Sequence, residues 1–247
     1  MSDPSTPASG SALTRKASTT EHLLALPDCQ VRYTATAAWQ TLFEREKPIA
    51  EMFHVAYLVK SDQAAAHASP RPLTFVFNGG PGAASAYLHM GALGPKRIQF
   101  GDRGTLPKPP VRLVDNWESW LSFTDLVFID PIGTGFSRSM AEKEQAEEKA
   151  SPKEKEADEP KEAKFWGVEQ DLKALGEFIQ RFLSQQKRWL SPIFIAGESY
   201  GGFRVARLAR TLQQEFGVGL SGAILISPAL EFSFLGGNDY NLTSWAT

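Results

Sequence analysis

The sequence predicts an α/β fold: a mostly parallel sheet with an antiparallel N-terminal edge. Three observations predict it. Apolar and polar residues alternate over 30–60, four short continuously apolar runs follow, and amphipathic helical stripes separate the later runs. Strand, helix, strand, helix, strand is the order of a parallel sheet with right-handed crossovers. At 247 residues, 42% of them hydrophobic, the chain can bury a sizeable core as one domain.

Residues 1–21 are rich in Ser, Thr, Ala and Pro and lack the apolar run of a signal peptide, so a disordered tail is expected there. Val31-Arg32-Tyr33-Thr34 and Met52–Val59 alternate as antiparallel strands do, with a polar break at 44–48. Leu73–Phe77, Leu126–Ile129, Ile193–Ala196 and Ala223–Ile226 suit strands buried on both faces. Val168, Leu172, Leu175, Phe178, Ile179, Phe182 and Leu183 recur at helical spacing as one apolar stripe. A second helix is predicted after Gly202, with Val205, Leu208, Ala209 and Leu212 on one side and Arg204, Arg207 and Arg210 on another. Ala141–Lys164 is almost wholly Ala, Glu, Lys, Pro and Asp, and reads as a charged, mobile surface insertion in a domain spanning 22–247.

A net charge of −2 gives no electrostatic reason to expect nucleic acid or an anionic membrane as partner. The longest apolar stretches are too short to span a bilayer. Cys29 is the single cysteine, so no intramolecular disulfide forms; a small, partly buried side chain is expected, and no metal or other cofactor is called for.

The chemistry concentrates in Ile193–Gly202. A buried strand runs into Gly197-Glu198-Ser199-Tyr200-Gly201 and then into a helix, the context in which Gly-x-Ser-x-Gly acts as a nucleophile elbow. The sharp turn requires small neighbours and lifts the Ser199 hydroxyl above the sheet. It also aims the Tyr200 amide, at the positive end of a new helix, where an oxyanion forms. Phe75–Gly82 is a strand ending in a loop almost without side chains, and its Gly80 amide is the candidate second donor of an oxyanion hole. Phe128–Ser137 is a third strand entering a glycine loop. It lacks the strand-Gly-x-Gly-x-x-Gly-helix order of a dinucleotide site and is expected to line the same cleft, at the carboxyl ends of the strands.

Asn78-Gly79-Gly80-Pro81-Gly82, Asn116-Trp117-Glu118-Ser119-Trp120, Gly133-Thr134-Gly135-Phe136-Ser137 and Gly197–Gly202 occur in this order. Together they resemble the serine carboxypeptidase family (peptidase family S10) of α/β-hydrolases, over roughly residues 50–140 and 165–230. The resemblance implies an α/β-hydrolase-type sheet and a catalytic Ser199 served by the Gly80 and Tyr200 amides. It also implies that Asn78 and Glu198 hydrogen-bond the terminal carboxylate of a peptide with a free C-terminus. Glu198 would do so protonated, which favours acid. Three positions depart from the family pattern: Ala83 stands for a cysteine, Val76 for a tryptophan, and Ala92 for the glutamate that shares a proton with the partner matched by Glu198.

A serine nucleophile needs an imidazole base oriented by a carboxylate, and in α/β-hydrolases the order is Ser, Asp, His. His22, His54, His67 and His89 all precede Ser199, and none reads as the base. Asp239 comes too soon after the last predicted strand to be the family's acid. The expectation is therefore the N-terminal part of a serine-type carboxypeptidase, inactive by itself and truncated before the cap and last strands. The alternatives are a serine carboxypeptidase-like acyltransferase, an esterase, or a non-catalytic carboxylate-binding relative.

Overall fold

A computed structural model describes residues 16–27, 29–60, 70–105, 107, 109–140 and 165–231. The charged segment 141–164, His67, Asp239 and residues 1–15 lie outside them.

The chain opens with an antiparallel meander. Strand β1 (Ser18–Ala25) pairs with β2 (Gln30–Glu44), which turns through Arg45 and Glu46 into β3 (Lys47–Val59). Both turn residues have positive φ (46° and 69°), the twist that a two-residue hairpin connection needs. Strand β1 corrects the sequence reading, in which Ser18–Glu21 belong to a disordered tail. Only Leu24 of β1 is buried, so this edge strand is held by its backbone ladder and carries no apolar alternation to announce it. Cys29 is likewise exposed where partial burial was expected.

Next come β4 (Leu73–Phe77), a helical turn α1 (Ala86–Leu88) continuing into a π-turn (His89–Leu93), and a small hairpin, β5 (Lys96–Ile98) with β6 (Leu113–Asp115). They are followed by β7 (Asp125–Ile129), β8 (Arg138–Ser139), α2 (Val168–Gln185), β9 (Ile193–Glu198), α3 (Tyr200–Glu215) and β10 (Gly222–Ile226). The main sheet has the order β1-β2-β3-β7-β4-β9-β10, with β8 paired to β3. Strands β7, β4, β9 and β10 run parallel, and the antiparallel edge joins at β3/β7.

Every residue of β4 and β7 is buried, as strands covered on both faces require. Phe75 and Phe77 point into a core with Phe178, Phe182, Val205 and Leu208, beneath α2 and α3. Val76 points the other way, towards Leu88, Leu93, Leu121 and Phe128. Parallel direction brings the carboxyl ends of β4, β7, β9 and β10 to one pole, where Asn78, Asp130, Ser199 and Ser227 leave the sheet. At the opposite pole the buried Asp125 binds Arg71 (3.0 Å) and Arg188 (2.6 Å) and accepts from the Val59 amide (3.0 Å), joining the bases of four chain segments.

Candidate active site

Ser199 has φ 57° and ψ −121°, a conformation few residues other than glycine adopt. Three main-chain hydrogen bonds hold it there: its amide donates to Ile226 O (3.0 Å), and its carbonyl accepts from Gly202 N (2.9 Å) and Ala229 N (3.0 Å). The corner leaves no room for side chains around it. A Cβ on Gly197 would collide with the Gly201 carbonyl, one on Gly201 would lie 2.7 Å from Phe77 O, and one on Gly202 2.5 Å from Pro228 Cβ. Ser199 itself is half-buried rather than packed inside.

The 78–82 loop is seated directly on this corner. A Cβ on Gly79 would lie 2.5 Å from Tyr200 N and 2.7 Å from Glu198 O. Gly80 (φ 110°) and Gly82 (φ 97°) then turn the loop away in backbone conformations that favour glycine. The Asn78 side chain, 2% exposed, donates through Nδ2 to Glu198 Oε2 (3.1 Å) and accepts at Oδ1 from Leu88 N (2.9 Å). The structure thus brings Asn78, Gly79, Glu198, Ser199 and Tyr200 together, with Gly80 next in the loop. α3 begins at Tyr200, three residues before the predicted start, so the Tyr200 amide lies in its first turn.

The third loop braces the first. Asp130 accepts from Ser85 N (2.9 Å) and Phe136 N (3.2 Å), and Ser137 Oγ donates to Asp130 O (2.6 Å). Burial pushes the Asp130 carboxyl up, against these two amide bonds. Asn116 is fully buried and donates to Ala92 O (2.6 Å) and Gly94 O (2.8 Å), while Ser119 Oγ donates to Leu93 O (2.8 Å). The Asn116–Trp120 motif therefore fastens the turn that follows the 78–82 loop.

A cavity of about 340 Å³ opens beside the corner, lined by Pro81, Gly82, Gly133, Thr134, Trp166 and Tyr200 among others, with Asp171 and Arg204 also in its wall. The Gly133–Thr134 loop does line this cleft. Arg204, placed by the sequence with the polar residues of its helix, is 4% exposed and bonded to Asp171. Sequence reasoning assigned neither residue of that pair to the site. The only signal was a cation about one turn past Ser199.

The described histidines are committed elsewhere. His89 Nε2 bonds Tyr57 Oη (2.6 Å) and its ring stacks on Phe128, while His54 packs edge-on against Phe178 and Phe182. Burial lowers both to about 4. His22 lies on the distant edge strand β1, stacked on Tyr33. Among the described residues no cluster of His, Cys, Asp and Glu has the makings of a metal site, and no helix is long and apolar enough to cross a membrane.

A family model described as serine carboxypeptidase matches residues 44–230. "Serine carboxypeptidase-like 13" of Arabidopsis thaliana is 27% identical over 176 residues, covering 70% of this chain and 35% of that protein. The "Pheromone-processing carboxypeptidase KEX1" of Yarrowia lipolytica is 30% identical over 158 residues, covering 63% of this chain and 21% of that protein. This chain thus spans about a third or less of those relatives' lengths. Among solved structures, a putative hydrolase from Agrobacterium vitis S4 superposes with a TM-score of 0.45 at 12% identity, over 86% of this chain and 61% of that one.

Proposed function

We propose, from the premise that this chain belongs to the serine carboxypeptidase family of α/β-hydrolases, that it carries the nucleophile half of a serine-type carboxypeptidase. Ser199 Oγ attacks the carbonyl of the last peptide bond. The developing O⁻ is stabilised by the amides of Gly80 and Tyr200, and the C-terminal amino acid departs to leave an ester on Ser199. Water then hydrolyses that ester. Asn78 and Glu198, already bonded to each other, receive the substrate's terminal carboxylate.

One observation carries this reading: Ser199 is held at φ 57° on a corner against which the backbone of Gly79 is pressed. Backbone strain of this kind costs about 1–3 kcal/mol and persists only where the surroundings impose it. Neither His54 nor His89 is disposed to serve as base, since each is buried in aromatic packing. The base and its orienting acid are assigned to no described residue.

A fluorophosphonate probe applied to the complete protein, as its gene encodes it, tests this directly. Labelling at Ser199, abolished in Ser199→Ala, is expected. So is release of the last amino acid from an N-blocked dipeptide, and not from its C-terminal amide. An unlabelled Ser199 overturns the hydrolase reading. Cleavage of the amide at an equal rate overturns the carboxylate role of Asn78 and Glu198.

A further inference from the structure

Three arginines project from α3 at successive turns, and they differ in fate. Arg207 pairs with Glu169 at the surface and Arg210 bonds Gln214. Arg204 is buried, and its guanidinium is used on several sides. Nε donates to Asp171 Oδ2 (2.6 Å), Nη1 donates to the main-chain carbonyl of Asn78 (3.0 Å), and Cζ lies 4.9 Å from the centroid of the Tyr200 ring. These partners belong to α2, to the loop after β4, and to the residue following the nucleophile.

A buried ion pair contributes little net stability, because desolvation offsets most of the attraction. Its geometry is therefore the more informative property. The Asn78 carbonyl belongs to the peptide unit that leads into Gly79, and Gly79 rests on Tyr200 N. Arg204 thus ties the loop that carries the Gly80 amide to the helix whose first turn carries the Tyr200 amide. A planar fork with diverging N–H groups can do this; a lysine, with one compact ammonium, cannot hold the same set of partners in the same plane.

We propose that Arg204 is a positioning residue that fixes the separation of the Gly80 and Tyr200 amides, with Asp171 fixing the guanidinium in turn. This rests on the hydrolase reading above. Because Asp171, Arg204 and Tyr200 all line the cavity beside the corner, shortening Arg204 connects the space it leaves to that cavity. A small guanidinium ion can then reach Asp171.

The test uses the complete protein as wild type, Arg204→Ala and Arg204→Lys. Three quantities are read: the rate of Ser199 labelling by a fluorophosphonate, kcat and KM on a p-nitrophenyl ester, and thermal unfolding by circular dichroism. Arg204→Ala should lose roughly ten- to a hundredfold in labelling rate and kcat, as misplacing an oxyanion donor does. Its KM should stay within about threefold, because the lost interaction belongs to the transition state. Ethylguanidinium should restore part of the Arg204→Ala rate, ethylammonium should not, and Arg204→Lys should remain slow. Wild-type labelling rates in a folded Arg204→Ala refute the proposal, as does a loss that follows the unfolding temperature alone and ignores guanidinium. If Arg204→Ala does not fold, a folded Arg204→Lys with wild-type rates refutes it equally. A wild type that is not labelled overturns the hydrolase reading, and this proposal with it.

Discussion

At Ser199 the backbone stores strain that the side chain does not relieve. Replacing it by alanine removes the hydroxyl and keeps the strain, whereas glycine adopts φ 57° freely. Ser199→Gly is therefore expected to unfold at a higher urea concentration than Ser199→Ala, by about 1 kcal/mol after the extra chain entropy of glycine is subtracted. Equal midpoints would mean that the corner is unstrained. Gly79→Ala is the complementary case. Its Cβ would meet Tyr200 N at 2.5 Å, so the loop must lift off the corner. Reactivity of Ser199 in the complete protein should fall roughly a hundredfold, as when an oxyanion donor is lost. A Gly79→Ala variant labelled at the wild-type rate would show that the loop's seat is dispensable. Much of this site was legible in the sequence. Ser199 and Tyr200 announced themselves by glycine spacing at a strand end, Asn78 and Glu198 only by the resemblance to the serine carboxypeptidase family, and the structure places the four together. Arg204 and Asp171 were not legible, because an arginine on a helix with an apolar opposite face reads as solvated. It is buried here because the tight start of α3 tucks its first turn under the 78–82 loop.

Element by element, the bounds of the parallel strands and α2 were read nearly to the residue, since burial on both faces or on one stripe leaves an apolar pattern; β10, expected to be buried on both faces, instead lies at the end of the strand order with Ala223 and Leu225 exposed. Strand β1 was missed for the converse reason: Ser-Thr-Thr-Glu-His is held by main-chain bonds to β2 and buries almost nothing. The start of α3 was set late because Gly201 and Gly202 look like helix breakers. They are required by the close approach of Phe77 O and Pro228 Cβ. What fastens the strand bases to one another is polar. Asp125 is nearly inaccessible and answers both Arg71 and Arg188, while Arg188 also donates to Arg71 O (2.7 Å). Asp125→Ala leaves two cations without their counterion and should cost about 3–5 kcal/mol, read as a drop in the urea midpoint. The strand bases lie at the pole opposite the corner, so the folded fraction should still react with a fluorophosphonate at the wild-type rate. A mild stability change would show that water replaces the carboxylate.

At the scale of the whole molecule, two buried, neutral histidines lie on opposite faces of the sheet, His54 against α2 and His89 at the start of the π-turn. Burial holds each near 4, against 6.5 for a free imidazole. Between those values the unfolded chain binds protons that the folded chain refuses. Stability therefore falls as pH falls through that window, by up to about 3 kcal/mol for each histidine. Above it both states are neutral and the effect vanishes. Asp130 and Asp171, raised by burial, contribute a trend of opposite sign, lost as pH rises through their folded range. Comparing wild type with His54→Leu isolates the histidine, because both proteins share the carboxylates. The drop in urea midpoint between about pH 7 and pH 4.5 should be smaller in the variant, and an unchanged drop would refute the assignment.

The strand order has a consequence for the tempo of assembly. β1, β2 and β3 are sequential neighbours joined by short connections, so the meander can close on a microsecond scale from local contacts alone. β4 is different: its two neighbours, β7 and β9, are both made later in the chain, and β9 is the strand that leads into Ser199. During synthesis the centre of the sheet waits, with the apolar run Leu73–Phe77 uncovered on one side, until residues 193–198 have emerged from the ribosome. The strand that fills the gap delivers Ser199 to its corner, and β10, whose Ile226 carbonyl accepts from the Ser199 amide, closes on β9 afterwards.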